Sequence, residues 1–239
     1  MNLSVVIPLY NNEKQIERCL ISLLNQDLLL SEYEIIIVDD GSTDFSNSIA
    51  KQYADKYENI HLYCQKNAGV GVARNTGFEA SKGEYVYFVD ADDYIAINVL
   101  KRLIELSKLN NLEMLGFNFK DVEDDCILPY SSTQNIQDIS IEVMDGMEYI
   151  QKHGFRAEVW WYITKRTFLI DSGLKFPNDD RFSEDVNFTT SLILQTNRIS
   201  KVNFDVYRYV RLKTSLSRNN NQKHMLKYIN CLVTNVEEY

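Results

Sequence analysis

Three carboxylates, Asp90, Asp92 and Asp93, follow directly on the run Glu84-Tyr85-Val86-Tyr87-Phe88-Val89. That run is rich in aromatic and β-branched residues and reads as a buried strand. A strand ending in carboxylates delivers negative charge to the carboxyl edge of a sheet, the edge where open α/β sheets bind ligands. Carboxylates two residues apart, beyond the regular part of a strand, can turn toward one point. Their repulsion there is costly unless a cation or hydrogen-bond donors offset it. Hard oxygen ligands suit Mg²⁺ or Mn²⁺, which bridge phosphates. The chemistry these residues allow is therefore metal-assisted work on a phosphate-bearing substrate. Alone, an Asp-rich turn is more often a solvated turn, so the rest of the chain decides.

The elements that must position this turn are legible along the first half. Leu3-Ser4-Val5-Val6-Ile7, Glu34-Ile35-Ile36-Ile37-Val38 and Ile60-His61-Leu62-Tyr63 read as strands. Helical periods lie over Glu13 to Gln26, from a cap at Gly41-Ser42-Thr43-Asp44 to about Tyr57, and after the glycine loop Asn67-Ala68-Gly69-Val70-Gly71 through Arg74 to Glu79. Strand and helix alternate, and the strands are continuously apolar. That pattern calls for an α/β fold, a parallel sheet with helices on both faces. Right-handed crossovers bring Pro8–Asn12, Asp39–Ser42, Asn67–Gly71 and Asp90–Asp93 to one rim.

The second half is less regular. Ile97 to Leu109 and Ser183 to about Thr196 read as helices, and Met114 to Phe119, Ile199 to Phe204 and Val206 to Val210 as strands. Asp121 to Ile141 is polar and acidic, an irregular excursion or a hairpin, and Trp160 to Ile170 is apolar. Gln222 to Tyr239 has a helical pattern, and no internal repeat is visible.

Length and composition bound the function. The chain has 239 residues, 45% of them hydrophobic, enough for one large core. A net charge of −9 and a pI of about 4.9 make it a poor nucleic-acid binder. Basic residues gather between Lys201 and Lys227 against one acid, Asp205. A solvated face explains that stretch, and a surface for diphosphates or anionic lipid heads is the sharper reading. Cys19, Cys64, Cys126 and Cys231 have no metal-ligand spacing and read as reduced core thiols of a cytosolic protein. No secretory leader is read at the N-terminus, and no stretch approaches the ~20 apolar residues of a membrane span.

Four motifs in order carry a resemblance. Val5-Val6-Ile7-Pro8-Leu9-Tyr10-Asn11, Ile37-Val38-Asp39-Asp40-Gly41-Ser42-Thr43-Asp44, Asn67-Ala68-Gly69-Val70-Gly71-Val72-Ala73-Arg74-Asn75-Thr76-Gly77 and Phe88-Val89-Asp90-Ala91-Asp92-Asp93 resemble the successive motifs of family 2 glycosyltransferases with the GT-A fold. The match is close over roughly the first 100 residues. It implies a Rossmann-like, mostly parallel central sheet with an irregular acceptor-side C-terminal half. Residues 1–100 would form the nucleotide-sugar half and 101–218 the acceptor and catalytic half of the same domain, with 219–239 a C-terminal helix.

The resemblance also implies roles. Pro8 and Tyr10 would line the nucleotide base, and Asp39 would accept a hydrogen bond from it, as a uracil imide offers. Asp40, Gly41 and Ser42 continue that loop, and Asn67 and Gly71 belong to the glycine loop. Arg74 would pair with phosphate or hold Asp90 and Asp92. Asp90 would bind the ribose or share the metal across Ala91, and Asp92 is the first choice as ligand for Mn²⁺ or Mg²⁺. Asp185, in Phe182-Ser183-Glu184-Asp185-Val186-Asn187-Phe188, matches the family's Glu-Asp element and would be the catalytic base. Trp160 and Trp161 offer a sugar platform, though core packing for at least one is the better reading. Tyr207-Arg208-Tyr209 with Ser215 and Ser217 loosely matches a late stretch that closes over the diphosphate in some members.

The implied activity is inverting, metal-dependent transfer of a hexosyl or N-acetylhexosaminyl group. The donor would be a nucleotide-sugar, UDP-linked by preference, and the acceptor a saccharide or lipid-linked saccharide. The location would be cytoplasmic, compatible with peripheral contact at the inner membrane face. Gln195-Thr196-Asn197-Arg198-Ile199 lacks the Trp of the Gln-x-x-Arg-Trp element of polymer-forming members, which disfavours a processive synthase. Two other readings remain: a nucleotidyltransferase of similar architecture, whose Gly-rich basic signature is missing here, and a sugar-nucleotide-binding subunit without catalysis.

Overall fold

The computed structural model describes residues 1–123, 140–177 and 184–211. The expected helix at 222–239, together with Ser215, Ser217, His224, Cys126, Cys231 and most of the Lys/Arg-rich stretch, lies outside the described residues.

Eight strands form one sheet in the order β3-β2-β1-β4-β7-β6-β8-β5. The first four are β1 (Leu3–Leu9), β2 (Tyr33–Asp39), β3 (Ile60–Cys64) and β4 (Tyr85–Phe88), and they pair in parallel. β7 (Tyr162–Lys165) runs antiparallel to both β4 and β6 (Met114–Glu123). β8 (Ile199–Arg211) returns parallel to β6, and β5 (Tyr94–Ile95) closes the far edge antiparallel to β8. The expected mostly parallel α/β sheet is present, and its second half is a mixed continuation of the first.

Both faces are covered. The strands are buried along their whole length in β1, β2 and β4, which is why they read as apolar runs rather than alternating ones. Ile36 and Val38 pack with Ala73 of α3 (Val70–Ala80) on one face. Ile35 and Ile37, which point the other way, join the main core with Ile16, Leu20 and Leu23 of α1 (Ile16–Leu24). α2 (Ser46–Lys56) packs beside α1 and β3. Pro8 has no N–H to give, and it sits past Val6, where the β1–β4 register ends, so it interrupts little.

Several boundaries differ from the sequence reading. α1 starts at Ile16 rather than Glu13, because Gln15 and Ile16 both donate to the Asn12 carbonyl in a preceding turn. The two expected strands after Ile199 are one, with register shifts around Asn118 that absorb the polar Asp205. The apolar stretch at Trp160–Ile170 divides into β7 and α6 (Arg166–Asp171). The helix expected from Ile97 is α4 (Leu100–Leu109), and that expected from Ser183 is α7 (Glu184–Gln195). α5 (Gly146–His153) was not expected, although Asp145 and Glu148 cap it reciprocally, a pattern visible in the sequence. Cys19 is buried as expected, whereas Cys64 is exposed. Among the described residues no helix is long and apolar enough to cross a membrane.

Candidate active site

The rim is built by short polar clasps between loops. Asn11 adopts a left-handed backbone, φ 51°, and its side-chain oxygen accepts from the Thr43 amide at 2.8 Å. Its own amide donates to Ser42 Oγ at 3.1 Å. The loop after β1 is thereby locked to the loop after β2. Asp39 accepts from the Ser42 amide at 3.1 Å and from Asn47 Nδ2 at 2.7 Å. Asp40 is committed to the glycine loop: its carboxylate accepts from Gln65 Nε2 at 2.8 Å and from the amides of Ala68 and Gly69, both at 2.9 Å. Gly41 needs its φ of +76°, and a Cβ there would stand 3.0 Å from the Asn67 nitrogen. Pro8 is buried, Asn67 is exposed, and Tyr10 keeps 47% of its surface open at the mouth.

The centre is Arg74, on the first turns of α3 and only 3% exposed. Its Nη2 donates to Asp90 Oδ1 at 2.9 Å. Its Nη1 donates to Glu184 Oε1 at 3.0 Å and to Asp185 Oδ1 at 2.5 Å. The guanidinium lies 5.4 Å from the centre of the Phe176 ring, which stacks on Phe188 at 3.8 Å and meets Phe88 edge-on at 5.3 Å. These rings exclude water beneath the charge cluster. Arg74 thus joins the turn after β4 to the start of α7, reaching Asp185, 111 residues further along the chain. Its terminal nitrogens are spent on carboxylates. Arg74 holds Asp90, one of the roles expected for it, and holds Glu184 and Asp185 as well.

Gly71 lies in the first turn of α3. A Cβ there would stand 2.8 Å from the Pro177 carbonyl oxygen and 3.1 Å from Phe176 Cβ. Its lack of a side chain lets Phe176, Pro177 and Glu184 pack directly against α3 beside Arg74.

Electrostatics follow from the count. Asp90, Glu184 and Asp185 contact one guanidinium, whose charge also reaches Asp92. Burial would lower the Arg74 pKa, but Asp185, Asp90 and Glu184 outweigh it and push it far up. Asp92 is pushed up to about 6, first by burial and then by Asp90. Asp185 also lies well above the usual carboxylate range, through burial, against the pull of Arg74. A site with this surplus of negative charge favours a proton or a cation. Among the described residues no group of three His, Cys, Asp or Glu side chains gathers as a metal cage. Asp90 and Asp92 supply two hard oxygen groups, which fits a cation that takes its remaining ligands from water and substrate phosphates.

Asp93 stands apart from this use. It is 1% exposed, and its Oδ1 accepts from the Val210 amide at 2.6 Å, so it ties the turn to β8. Ala91 is buried and can face a ligand only through its backbone. Trp160 and Trp161 are both core residues, 3% and 1% exposed, so neither is an open sugar platform. Arg208 is also buried and donates to the Tyr207 carbonyl at 3.1 Å. Sequence reasoning missed Glu184 as an Arg74 partner, Arg18, which donates to the Asp92 carbonyl at 2.9 Å, and Asn11 as a clasp. Only Asn11 had a signal, since Asn tolerates a left-handed turn.

A mostly parallel sheet whose carboxyl rim carries clasped polar loops, a pair of carboxylates after β4 and a third carboxylate from the far half is the arrangement of the GT-A fold. The chain belongs to glycosyl transferase family 2, whose profile matches residues 4–165. It is 34% identical over 216 residues to the uncharacterized glycosyltransferase EpsJ of Bacillus subtilis, covering 90% of this chain and 62% of EpsJ. The glycosyltransferase YibD of Escherichia coli, also uncharacterized, is 31% identical over 95% of this chain and 68% of its own length. The poly(ribitol-phosphate) β-glucosyltransferase of Bacillus spizizenii is 34% identical over 88% of this chain, which spans only 32% of that protein. Among solved structures, Staphylococcus aureus TarS 1–349 in complex with UDP-GlcNAc superimposes with a TM-score of 0.75 at 29% identity, over 90% of this chain and 60% of that one.

Proposed function

We propose that this chain is an inverting, metal-dependent, non-processive glycosyltransferase that moves one sugar from a UDP-sugar to a saccharide or lipid-linked saccharide acceptor. The observation that carries the proposal is the Arg74 knot, which brings Asp90 of the first half and Asp185 of the second to one buried guanidinium. The nucleotide would lie along the rim from Tyr10 and Asp39 toward Asp90. Mg²⁺ or Mn²⁺, when bound through Asp92 and Asp90, would neutralise the diphosphate as it departs.

Asp185 faces the same point from the acceptor side. Its raised pKa suits a base that must hold a proton during turnover. The acceptor hydroxyl oxygen forms a bond to the anomeric carbon while the carbon–oxygen bond to the diphosphate breaks. The hydroxyl proton passes to Asp185, and the nucleoside diphosphate leaves. One base and one displacement invert the anomeric centre. Arg74 stays charged throughout and holds the Asp185 carboxylate in place to take the proton of the acceptor hydroxyl.

The similarity to a UDP-GlcNAc-bound relative supports the choice of a UDP-sugar. The test is Asp185→Asn, assayed for UDP-sugar binding and for UDP released during transfer. Retained binding with turnover reduced by about 10²-fold or more is expected of a lost base. Unchanged turnover would remove Asp185 from the mechanism. Wild-type chain that binds the donor without turning it over would favour a non-catalytic binding subunit.

A further inference from the structure

The following rests on the reading of the rim as a metal-dependent donor site. The turn that would hold the cation projects past the end of β4, and side chains from distant elements fix its backbone. Asp93 donates its amide to the Asp90 carbonyl at 3.2 Å and closes the turn. From α1, Arg18 donates to the Asp92 carbonyl at 2.9 Å and Cys19 Sγ lies 3.7 Å from the Asp90 carbonyl. From β8, the Tyr207 hydroxyl accepts the Asp90 amide at 3.2 Å. β8 is separated from β4 in the sheet by β7 and β6. Tyr207 is fully buried, and its ring is clamped face to face on Trp160, with centroids 4.5 Å apart and planes 4° apart. A hydroxyl held this rigidly sets the direction of the Asp90 peptide, and with it the direction in which the Asp90 and Asp92 carboxylates leave the turn.

We propose that Tyr207 is a positioning residue for the donor site, which it serves by orienting the Asp90–Asp92 turn through the Asp90 amide. Trp160 is its support. The coupling is reciprocal: a cation and diphosphate that fix the turn also hold the upper part of β8 against opening, since Asp93 binds the Val210 amide from the same turn.

The test compares wild type with Tyr207→Phe, which keeps the ring on Trp160 and removes the hydroxyl. UDP binding is measured calorimetrically with and without Mn²⁺. A lost hydrogen bond of ordinary strength gives a fall of roughly 3- to 10-fold in the Mn²⁺-dependent affinity. The donor KM should rise by a similar factor. A purely structural tyrosine would lower the melting temperature and leave the Mn²⁺-dependent part of the affinity unchanged, and that result would overturn the proposal. A second measurement needs no variant. In wild type, UDP with Mn²⁺ should slow amide hydrogen exchange in residues 206–211 as well as 90–95. Slowing confined to 90–95 would refute the coupling. Wild type that binds no UDP at all would instead overturn the donor-site reading, and this proposal with it.

Discussion

Replacing Arg74 with methionine keeps much of the side-chain volume and removes the charge. Three carboxylates then lose their shared partner in a setting where Arg74 itself is 3% exposed. Removing one member of a buried ion pair costs about 3–5 kcal/mol, because the remaining charge is stranded. The stranded carboxylates can escape by taking up protons, at about 1.4 kcal/mol for each pH unit above their pKa. The loss should therefore be about 4 kcal/mol near pH 7.5 and roughly half that near pH 5. For a chain of this size that is a fall in melting temperature of about 8–16 °C at the higher pH and about half at the lower. Calorimetric melts of wild type and Arg74→Met at both pH values read this directly, with circular dichroism to confirm the fold. Arg74→Lys should fall between the two, since one ammonium cannot span the fork that reaches Asp90 and Asp185. A melting temperature within about 3 °C of wild type at the higher pH, or equal losses at both, would refute the argument that the guanidinium neutralises this cluster.

Two further expectations come from the same geometry. Gly71→Ala pushes a methyl to 2.8 Å from the Pro177 carbonyl oxygen, so a loss of about 1–3 kcal/mol in urea unfolding is expected, with weaker donor turnover as Asp185 is displaced. The ligand-free protein should also lose stability as pH rises. The folded pKa of Asp92, about 6, exceeds the ordinary aspartate value of about 3.9, so the folded state keeps a proton that the unfolded state has released. Stability is then unaffected below the lower value, falls between the two, and levels off above about 6. The fall is at most roughly 3 kcal/mol, and Asp185 adds to it in the same direction. Mn²⁺ competes with that proton, so its stabilising effect in thermal melts should grow through the same window.

Much of the first half was legible because burial on both faces of a parallel sheet leaves an unmistakable apolar run. Strand ends then locate the rim, and Asp39, Asp90 and Asp92 were found there by position alone. What could not be read was the partnership between distant residues. Nothing local says that Arg74 meets Glu184 and Asp185, residues far along the chain that pack near Gly71, Phe176 and Pro177. The use of Asp40 as a loop clamp was equally hidden, since a carboxylate bound by backbone amides and one bound to a ligand look alike in sequence. The aromatic pair Trp160-Trp161 misleads in the other direction: Trp160 is wedged between Phe119 of β6 and Tyr207 of β8, and Trp161 stacks on Tyr149 of α5. The capping pair that starts α5, Asp145 with Glu148, was present in the sequence and was not read.

The measurement that bears most directly on the donor-site account is a thermal-shift panel of nucleoside diphosphates and UDP-sugars on the wild-type chain, each with and without Mn²⁺. A ligand at 100 times its dissociation constant stabilises by about 2.7 kcal/mol, or about 5–10 °C here. The account predicts a shift for UDP and at least one UDP-sugar that depends on Mn²⁺ and is absent for other bases. No shift with any nucleotide, in a sample shown to be folded, would contradict it.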